Sequence, residues 1–406
     1  MHKKLWNKDY ILLLQGSAVS MIGDLMYSVA IGYWVYEQTG SSGLMGIMSS
    51  ISMFVTMFLS PFCGSIVDKC NRKWVIVGID TLQGILMLTI GVLAYTNTLN
   101  VPIVLIAALA ASFGSVFYSP AINTLMLDII PREDMVRGQS LFSSISSLIN
   151  LVGTAFSGAM VAFFGVPLIV VINGLSNLYS AASELLVHVP KTLHQGEPVT
   201  VKGIWKDSKS AVKTIFSNRF LQLFVPSALI LNLLSAGPMS LLLPFCMEKG
   251  FSVDLYGYLS FVYMTGYFLC VVLLGAVKLK PKARFWVMAL GFSCSVPMFV
   301  LGYLSSQFIT ICIFAFLASF LNCAGNTVFN AALMLALPEE NRSTILGFIS
   351  AASVGGTAVS TVIYGFLGDA FPLYLVFAAG NLLSIGPMLY MCFHPRTKEF
   401  VLEHCD

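Results

Sequence analysis

Asp24 is the one carboxyl near the centre of a long apolar run, residues 10–36. An ionised acid at that depth is costly unless it is partnered, wetted or neutralised by a proton. Such a group suits chemistry in which a proton is traded for a cation, or a cationic solute is met directly. Tyr27 follows one turn on and shares its helical face. Amides occupy the middles of other apolar runs: Asn150, Asn232 and Asn322, with Asn326 one turn beyond Asn322. Tyr263 and Tyr267 share a face of another. No Lys, Arg or His lies near the middle of any run, so a buried anionic solute would find no counter-charge. One titratable acid, several amides and many apolar walls suit a lipophilic molecule that is neutral or cationic. Glu184 is a second acid for proton handling, although it lies about a turn from the end of its run and is expected to snorkel toward water. Each of these residues also has a purely structural reading. Asp24 would be a protonated acid bonded to a neighbouring helix, and each asparagine an interhelical bond worth about 1 kcal/mol or less.

The elements that hold these groups follow from composition. Hydrophobic residues make up 57% of the 406 and charged residues only 10%, which excludes an ordinary soluble domain. Runs near the roughly 20 residues needed to cross a bilayer as helix recur at about 10–36, 43–67, 74–96, 101–128, 138–163, 166–189, 219–246, 252–277, 285–305, 308–336, 344–368 and 372–394. Open strands would leave backbone groups unpaired in hydrocarbon, so the expectation is an all-α membrane protein with twelve transmembrane helices. Every Lys and Arg of the 22 except Lys249 then falls on one face. The positive-inside rule makes that face cytoplasmic and puts both termini there, in a multi-pass cell-membrane protein. The formal net charge of +3 reflects this insertion bias and not a nucleic-acid surface. The first run is too long for a cleavable leader. The nine cysteines show no metal or redox spacing and read as packed apolar thiols.

The sequence also repeats itself. Gly153-Thr154-Ala155-Phe156-Ser157, ending at Phe163-Phe164-Gly165, returns as Gly356-Thr357-Ala358-Val359-Ser360, ending at Phe366-Leu367-Gly368. Upstream, Ala111-Ser112-Phe113, Asn123 and Pro131 return as Ala318-Ser319-Phe320, Asn330 and Pro338. Two echoes in register mark a duplicated membrane unit, as in secondary transporters, where the solute site lies between the halves. The expected division is two pseudo-symmetric six-helix bundles, residues 1–189 and 219–406, joined by a cytoplasmic linker, 190–218. Ile204, Ala211, Val212 and Ile215 give that linker an apolar stripe edged by lysines, the pattern of a helix lying on an anionic leaflet. Prolines such as Pro120, Pro226 and Pro238 predict bends within spans. Glycines 153, 158, 355, 356 and 365 predict close helix approach.

The loop after the second run reads Gly64-Ser65-Ile66-Val67-Asp68-Lys69-Cys70-Asn71-Arg72-Lys73. Asp68 can face a helix N-terminus, Asn71 tolerates a left-handed turn, and Arg72 has a plausible partner in Asp128 at the end of the fourth run. This loop resembles the G-x-x-x-D-[RK]-x-G-[RK]-[RK] signature of the major facilitator superfamily, with Asn71 in place of the second glycine. The resemblance covers essentially the whole chain and implies the major facilitator fold. It also implies that Gly64, Asp68, Arg72, Lys73 and Asp128 gate the cytoplasmic side and do not bind solute. Within that superfamily, Tyr36-Glu37-Gln38-Thr39-Gly40-Ser41 and Phe117-Tyr118-Ser119-Pro120-Ala121-Ile122-Asn123 are similar to the macrolide-efflux branch. Two positions depart from drug–proton antiporters. Ala111 stands where many carry an arginine, and Gly153-Thr154-Ala155-Phe156-Ser157-Gly158 replaces their G-P-x-x-G-G. Asp80, where relatives often have an acid, is read with Asp128 as a structural partner of cytoplasmic arginines.

The function implied is proton-coupled export of lipophilic neutral or cationic compounds by alternating access, from a monomer in contact with membrane lipids. The alternative within the same fold is a lysophospholipid or metabolite transporter. An embedded enzyme is disfavoured. The five histidines are terminal or in linkers, with no His-Glu-x-x-His spacing, Gly-x-Ser-x-Gly elbow or P-loop. No catalytic residue, metal or cofactor is expected, and a channel lacks its repeated filter motif.

Overall fold

The computed structural model describes residues 6–131, 134–188, 209, 213, 216–217, 219–277, 281–336 and 342–395. Some side chains within those ranges, including Gly64 and Asp68 of the signature loop, are outside the description, as is the expected linker helix. Among the described residues the regular structure is helical. The helices are α1 (Lys8–Thr39), α2 (Ser42–Lys69), α3 (Arg72–Tyr95), α4 (Val101–Ile129), α5 (Met135–Phe164), α6 (Val166–Leu185), α7 (Arg219–Ser235), α8 (Gly237–Ser240), α9 (Leu242–Glu248), α10 (Val253–Ala276), α11 (Pro281–Leu304), α12 (Phe308–Ala336), α13 (Arg342–Ala370) and α14 (Leu373–Phe393). Among the described residues eleven stretches are long and apolar enough to cross a membrane, and twelve if the bent pair within α5 is one span.

Helix ends follow local chemistry. Asn7 caps α1 by accepting from the Tyr10 amide at 2.8 Å, and Asn100 caps α4 by accepting from Ile103 at 3.1 Å. Gly40 closes α1 in the left-handed region, φ 62°, where its N–H donates to the Tyr36 carbonyl at 2.7 Å. The seventh run is one apolar stretch in sequence but three helices in space. Pro238 sits in the first turn of α8, where a proline can start a helix but not continue one. The 51° bend of α5 lies between Thr154 and Phe156. There the Thr154 hydroxyl donates back to the Asn150 carbonyl at 2.6 Å, and Ser157 does the same to Gly153. Competition of this kind with the helical ladder bends helices.

Contacts divide the chain into two compact units. Unit one comprises Met1–Gly40, Ile51–Thr200 and Ser252–Tyr258; unit two comprises Ser41–Ser50, Val201–Phe251 and Leu259–Asp406. The first turns of α2 therefore belong with unit two, and the first turn of α10 with unit one. In unit one α6 packs along α3 and α1. The core at one end joins Tyr10 and Leu13 to Ile76, Leu125, Met126 and Ile129, all inaccessible. In unit two α11 packs along α12 and α14, around Phe285, Met288, Val328 and Met391. Many large apolar side chains are exposed, Phe163 at 80% and Leu82 at 70% among them, as lipid contact requires.

Lys249, the exception to the charge asymmetry, is tied down. Its ammonium donates to the Ser305 carbonyl at 2.5 Å and lies 5.3 and 5.1 Å from the Phe245 and Tyr374 ring centroids. Removal from water pushes its pKa below the usual lysine value. Close approach by glycine is real at Gly158, where an added Cβ would fall 2.2 Å from the Val253 carbonyl oxygen. It is absent at Gly356, which has nothing within 4 Å of that position and so does not serve helix approach as expected.

Candidate functional site

Each unit contributes a polar feature inside an apolar body. In unit one, Asp24 lies mid-way along α1 with its side chain exposed. Asn177 of α6 donates to its carboxylate at 3.4 Å and, one turn back, to the side-chain and main-chain oxygens of Asn173 at 2.9 and 3.0 Å. Both asparagines are buried, and Asn177 Oδ1 and Asn173 Nδ2 have no hydrogen-bond partner in the structure. The buried hydroxyl of Tyr27 is likewise unpartnered. Asp24 is thus a reachable carboxyl backed by amides with spare hydrogen-bonding capacity.

Unit two holds a cavity of about 420 Å³, within the range of about 300–1,000 Å³ usual for ligand sites. Asn232 of α7, Tyr263 of α10 and Asn322 and Asn326 of α12 line it, joined by Asn330 and Asn381, and among the described residues no charged one does. Asn326 donates to the side-chain and main-chain oxygens of Asn322 at 2.8 and 3.0 Å, the same one-turn pairing that Asn177 makes with Asn173. Asn232 gives to the Ser353 carbonyl at 3.2 Å and accepts from the Thr357 hydroxyl at 3.1 Å, which pins α7 to α13 beside the cavity. Apolar walls come from Phe292, Phe299, Leu242 and Met388.

Other expected residues are placed elsewhere. Tyr267, a turn beyond Tyr263, does not line the cavity and is 46% exposed. Asn150 is exposed and donates to the Ser146 carbonyl of its own helix at 2.8 Å. Arg72 does meet Asp128, at 2.6 Å, with the two side chains 8% and 10% exposed. Lys73 donates to the Leu185 carbonyl at the end of α6, 2.7 Å away.

Two expectations fail. Glu184 does not snorkel: it is wholly inaccessible, because α1 and α3 cover the face of α6 that carries it. Among the described residues Asp80 pairs with no arginine; it lies about 12 Å along α3 from Arg72, at 1.5 Å per residue, and is 2% exposed.

Comparison with known proteins places the chain. The family model described as Major Facilitator Superfamily matches residues 13–252 and 227–400. The chain belongs to the major facilitator superfamily. Among its relatives, macrolide efflux protein A of Streptococcus pyogenes is 24% identical over 186 residues, 46% of each chain. A putative bacilysin exporter, BacE, of Bacillus subtilis is 27% identical over 224 residues, 53% of this chain and 52% of the other. These matches span about half the length of those relatives. In fold, the chain is similar to a bacterial homologue of the human lysosomal transporter Spinster in an inward-facing, unoccupied conformation. That likeness has a TM-score of 0.71 at 14% identity, over 97% of this chain and 95% of the other. The nucleoside transporter NupG gives 0.73 at 12% identity, over 95% and 99%.

Membership of the major facilitator superfamily, together with its many long apolar helices, makes the chain a multi-pass membrane protein of a transporter family. For this superfamily member, reasoning from the sequence missed Asn173, Asn177 and Asn381, and gave Asn330 a packing role although it lines the cavity. The signal for the first two was present. Asn173, Asn177, Ser180 and Glu184 form a polar stripe at helical spacing along an apolar span.

Proposed function

We propose that this protein exports lipophilic neutral or cationic compounds in exchange for protons, by alternating access. The observation that carries the reading is a division of labour. The reachable carboxyl, Asp24, stands in unit one against buried amides, while the cavity of unit two is apolar, studded with amides and free of charged residues. A cationic or neutral lipophile fits the cavity without a buried counter-charge, and Asp24 supplies a group that a proton or a cation can occupy in turn. An anionic solute would meet no cation there. Export, as opposed to uptake, is supported by the likeness to a macrolide efflux protein and a putative bacilysin exporter.

In this reading Tyr27, Asn232, Tyr263, Asn322 and Asn326 contact solute, while Asp24 exchanges the proton. Asn150 and Tyr267 would reach solute only in another conformation. Glu184 is a second proton-handling acid, buried on α6. Gly64, Asp68, Arg72, Lys73 and Asp128 work the cytoplasmic gate, and the buried Arg72–Asp128 ion pair supports that reading. The halves 1–189 and 219–406 move as bundles joined by 190–218, both termini are cytoplasmic, and a monomer suffices.

The test is a susceptibility screen in a host stripped of its own pumps. Expression should raise the inhibitory concentration of lipophilic drugs, macrolides included, and a protonophore should remove the protection. Protection that survives the protonophore contradicts proton coupling. Transport stimulated by lysophospholipids with no drug protection would move the assignment to lipid.

A further inference from the structure

Two acids lie buried together in unit one, on α6 and α3. Glu184 of α6 is inaccessible and Asp80 of α3 is 2% exposed. Ser180, one turn before Glu184, donates to Glu184 Oε1 at 3.4 Å and lies beside Asp80. The Tyr118 hydroxyl, from α4, donates to the same Oε1 at 3.2 Å and meets the Ser17 hydroxyl of α1 at 3.4 Å. The remaining oxygens, Glu184 Oε2 and Asp80 Oδ2, have no hydrogen-bond partner in the structure.

Among the described residues, the charged and titratable groups around the pair offer no counter-ion. On α3, Arg72 closes on Asp128 of α4, and Lys73 donates to the Leu185 carbonyl. On α1, Asp24 is another acid, Asp9 faces His188 at 3.7 Å, and the Tyr10 hydroxyl donates to the Gly138 carbonyl. Arg137, at the start of α5, is exposed. Two ionised carboxylates in one dry pocket would repel each other, and each would carry an oxygen stripped of water and given nothing in return. A proton on one of the free oxygens removes a charge and turns an unsatisfied acceptor into a donor.

We propose that Asp80 and Glu184 form a proton-binding site separate from Asp24, which holds a proton between α3 and α6 and exchanges it through the Tyr118 and Ser17 hydroxyls. One O–H bond forms at a carboxylate oxygen as the proton arrives from water, and the same bond breaks when it leaves; nothing is oxidised or reduced. The existence of the site does not require solute export, whereas its use in driving export rests on the function proposed above.

The test is infrared spectroscopy of the full-length protein in lipid bilayers at neutral pH, in the carboxylic-acid carbonyl region. The wild type should show a protonated-carboxyl band. Glu184→Gln and Asp80→Asn should each alter it, the double variant should reduce it to background, and Asp24→Asn should leave it in place. Tyr118→Phe, which deletes one hydrogen bond and no acid, should shift the band frequency, and it decides the matter if the carboxamide variants do not fold. A spectrum unchanged by Glu184→Gln, Asp80→Asn and Tyr118→Phe overturns the proposal. Absence of any protonated-carboxyl band in the wild type does the same. Failure of proton-driven export with the band intact would remove the coupling role and leave the site.

Discussion

Replacing Gly291 by alanine should damage both stability and transport, and the structure says by roughly how much. Gly291 lies on α11 where it crosses α12. A Cβ there would fall 2.7 Å from the Leu321 carbonyl oxygen and 2.8 Å from the Gly325 nitrogen. Ordinary contact begins near 3.4 Å, and both neighbours are backbone, so no rotamer change can make room. The helices must part by several tenths of an ångström. Forcing an extra carbon into a packed site costs about 1–3 kcal/mol, while glycine to alanine in a helix returns at most about 1 kcal/mol. The expected net loss is about 1–2 kcal/mol. At roughly 2–4 °C per kcal/mol for a unit of this size, the melting temperature in detergent should fall by several degrees. The next residues along, Phe292 on α11 and Asn322 and Asn326 on α12, line the cavity, so solute affinity should fall as well. Gly356→Ala is the matched control, because its Cβ meets nothing within 4 Å and only the helical gain remains. If Gly291→Ala melts at or above the wild-type temperature, as the control should, the close-packing argument is wrong.

Three further outcomes are expected. Arg72→Ala should lower stability by about 3–5 kcal/mol, since it strands the Asp128 carboxylate in a buried site; thermal unfolding of Arg72→Met with Asp128→Leu should recover part of the loss. Asp369 accepts from the Ser41 hydroxyl at 2.7 Å and the Gly43 amide at 3.1 Å, both within unit two. Asp369→Ala should therefore speed hydrogen exchange of amides 43–45 while costing only about 1 kcal/mol, because the carboxylate is exposed. Asn326→Leu should raise the KM of hydrogen-bonding solutes about tenfold, near 1.4 kcal/mol, and leave purely apolar solutes unaffected in a transport assay.

Helix positions were legible because length and apolarity leave a membrane chain few choices. The runs at 101–128 and 308–336 match α4 and α12 to within a residue. The seventh run was less so: its apolar composition is continuous, and the break at Ala236 and Pro238 depends on a proline starting one helix where another has just ended. The cavity was half legible. Asn232, Asn322 and Asn326 stood out as amides in mid-span, but Tyr267 was carried along by sharing a face with Tyr263, and only the neighbouring helices decide which turn looks inward. Burial of Glu184 could not be read from its distance to the end of α6. It depends on α1 and α3 covering that face, a long-range fact that local spacing does not encode. Asp80 is misplaced because eight residues of helical rise separate it from Arg72, which closes on Asp128.

Solute accumulation in proteoliposomes driven by an imposed pH gradient, compared between wild type and Asp24→Asn, tests the central claim most directly. The account predicts that the wild type accumulates a lipophilic cation against its gradient. Asp24→Asn should still bind the solute but show no gradient-driven accumulation. Equal accumulation by both proteins would contradict a coupling role for Asp24.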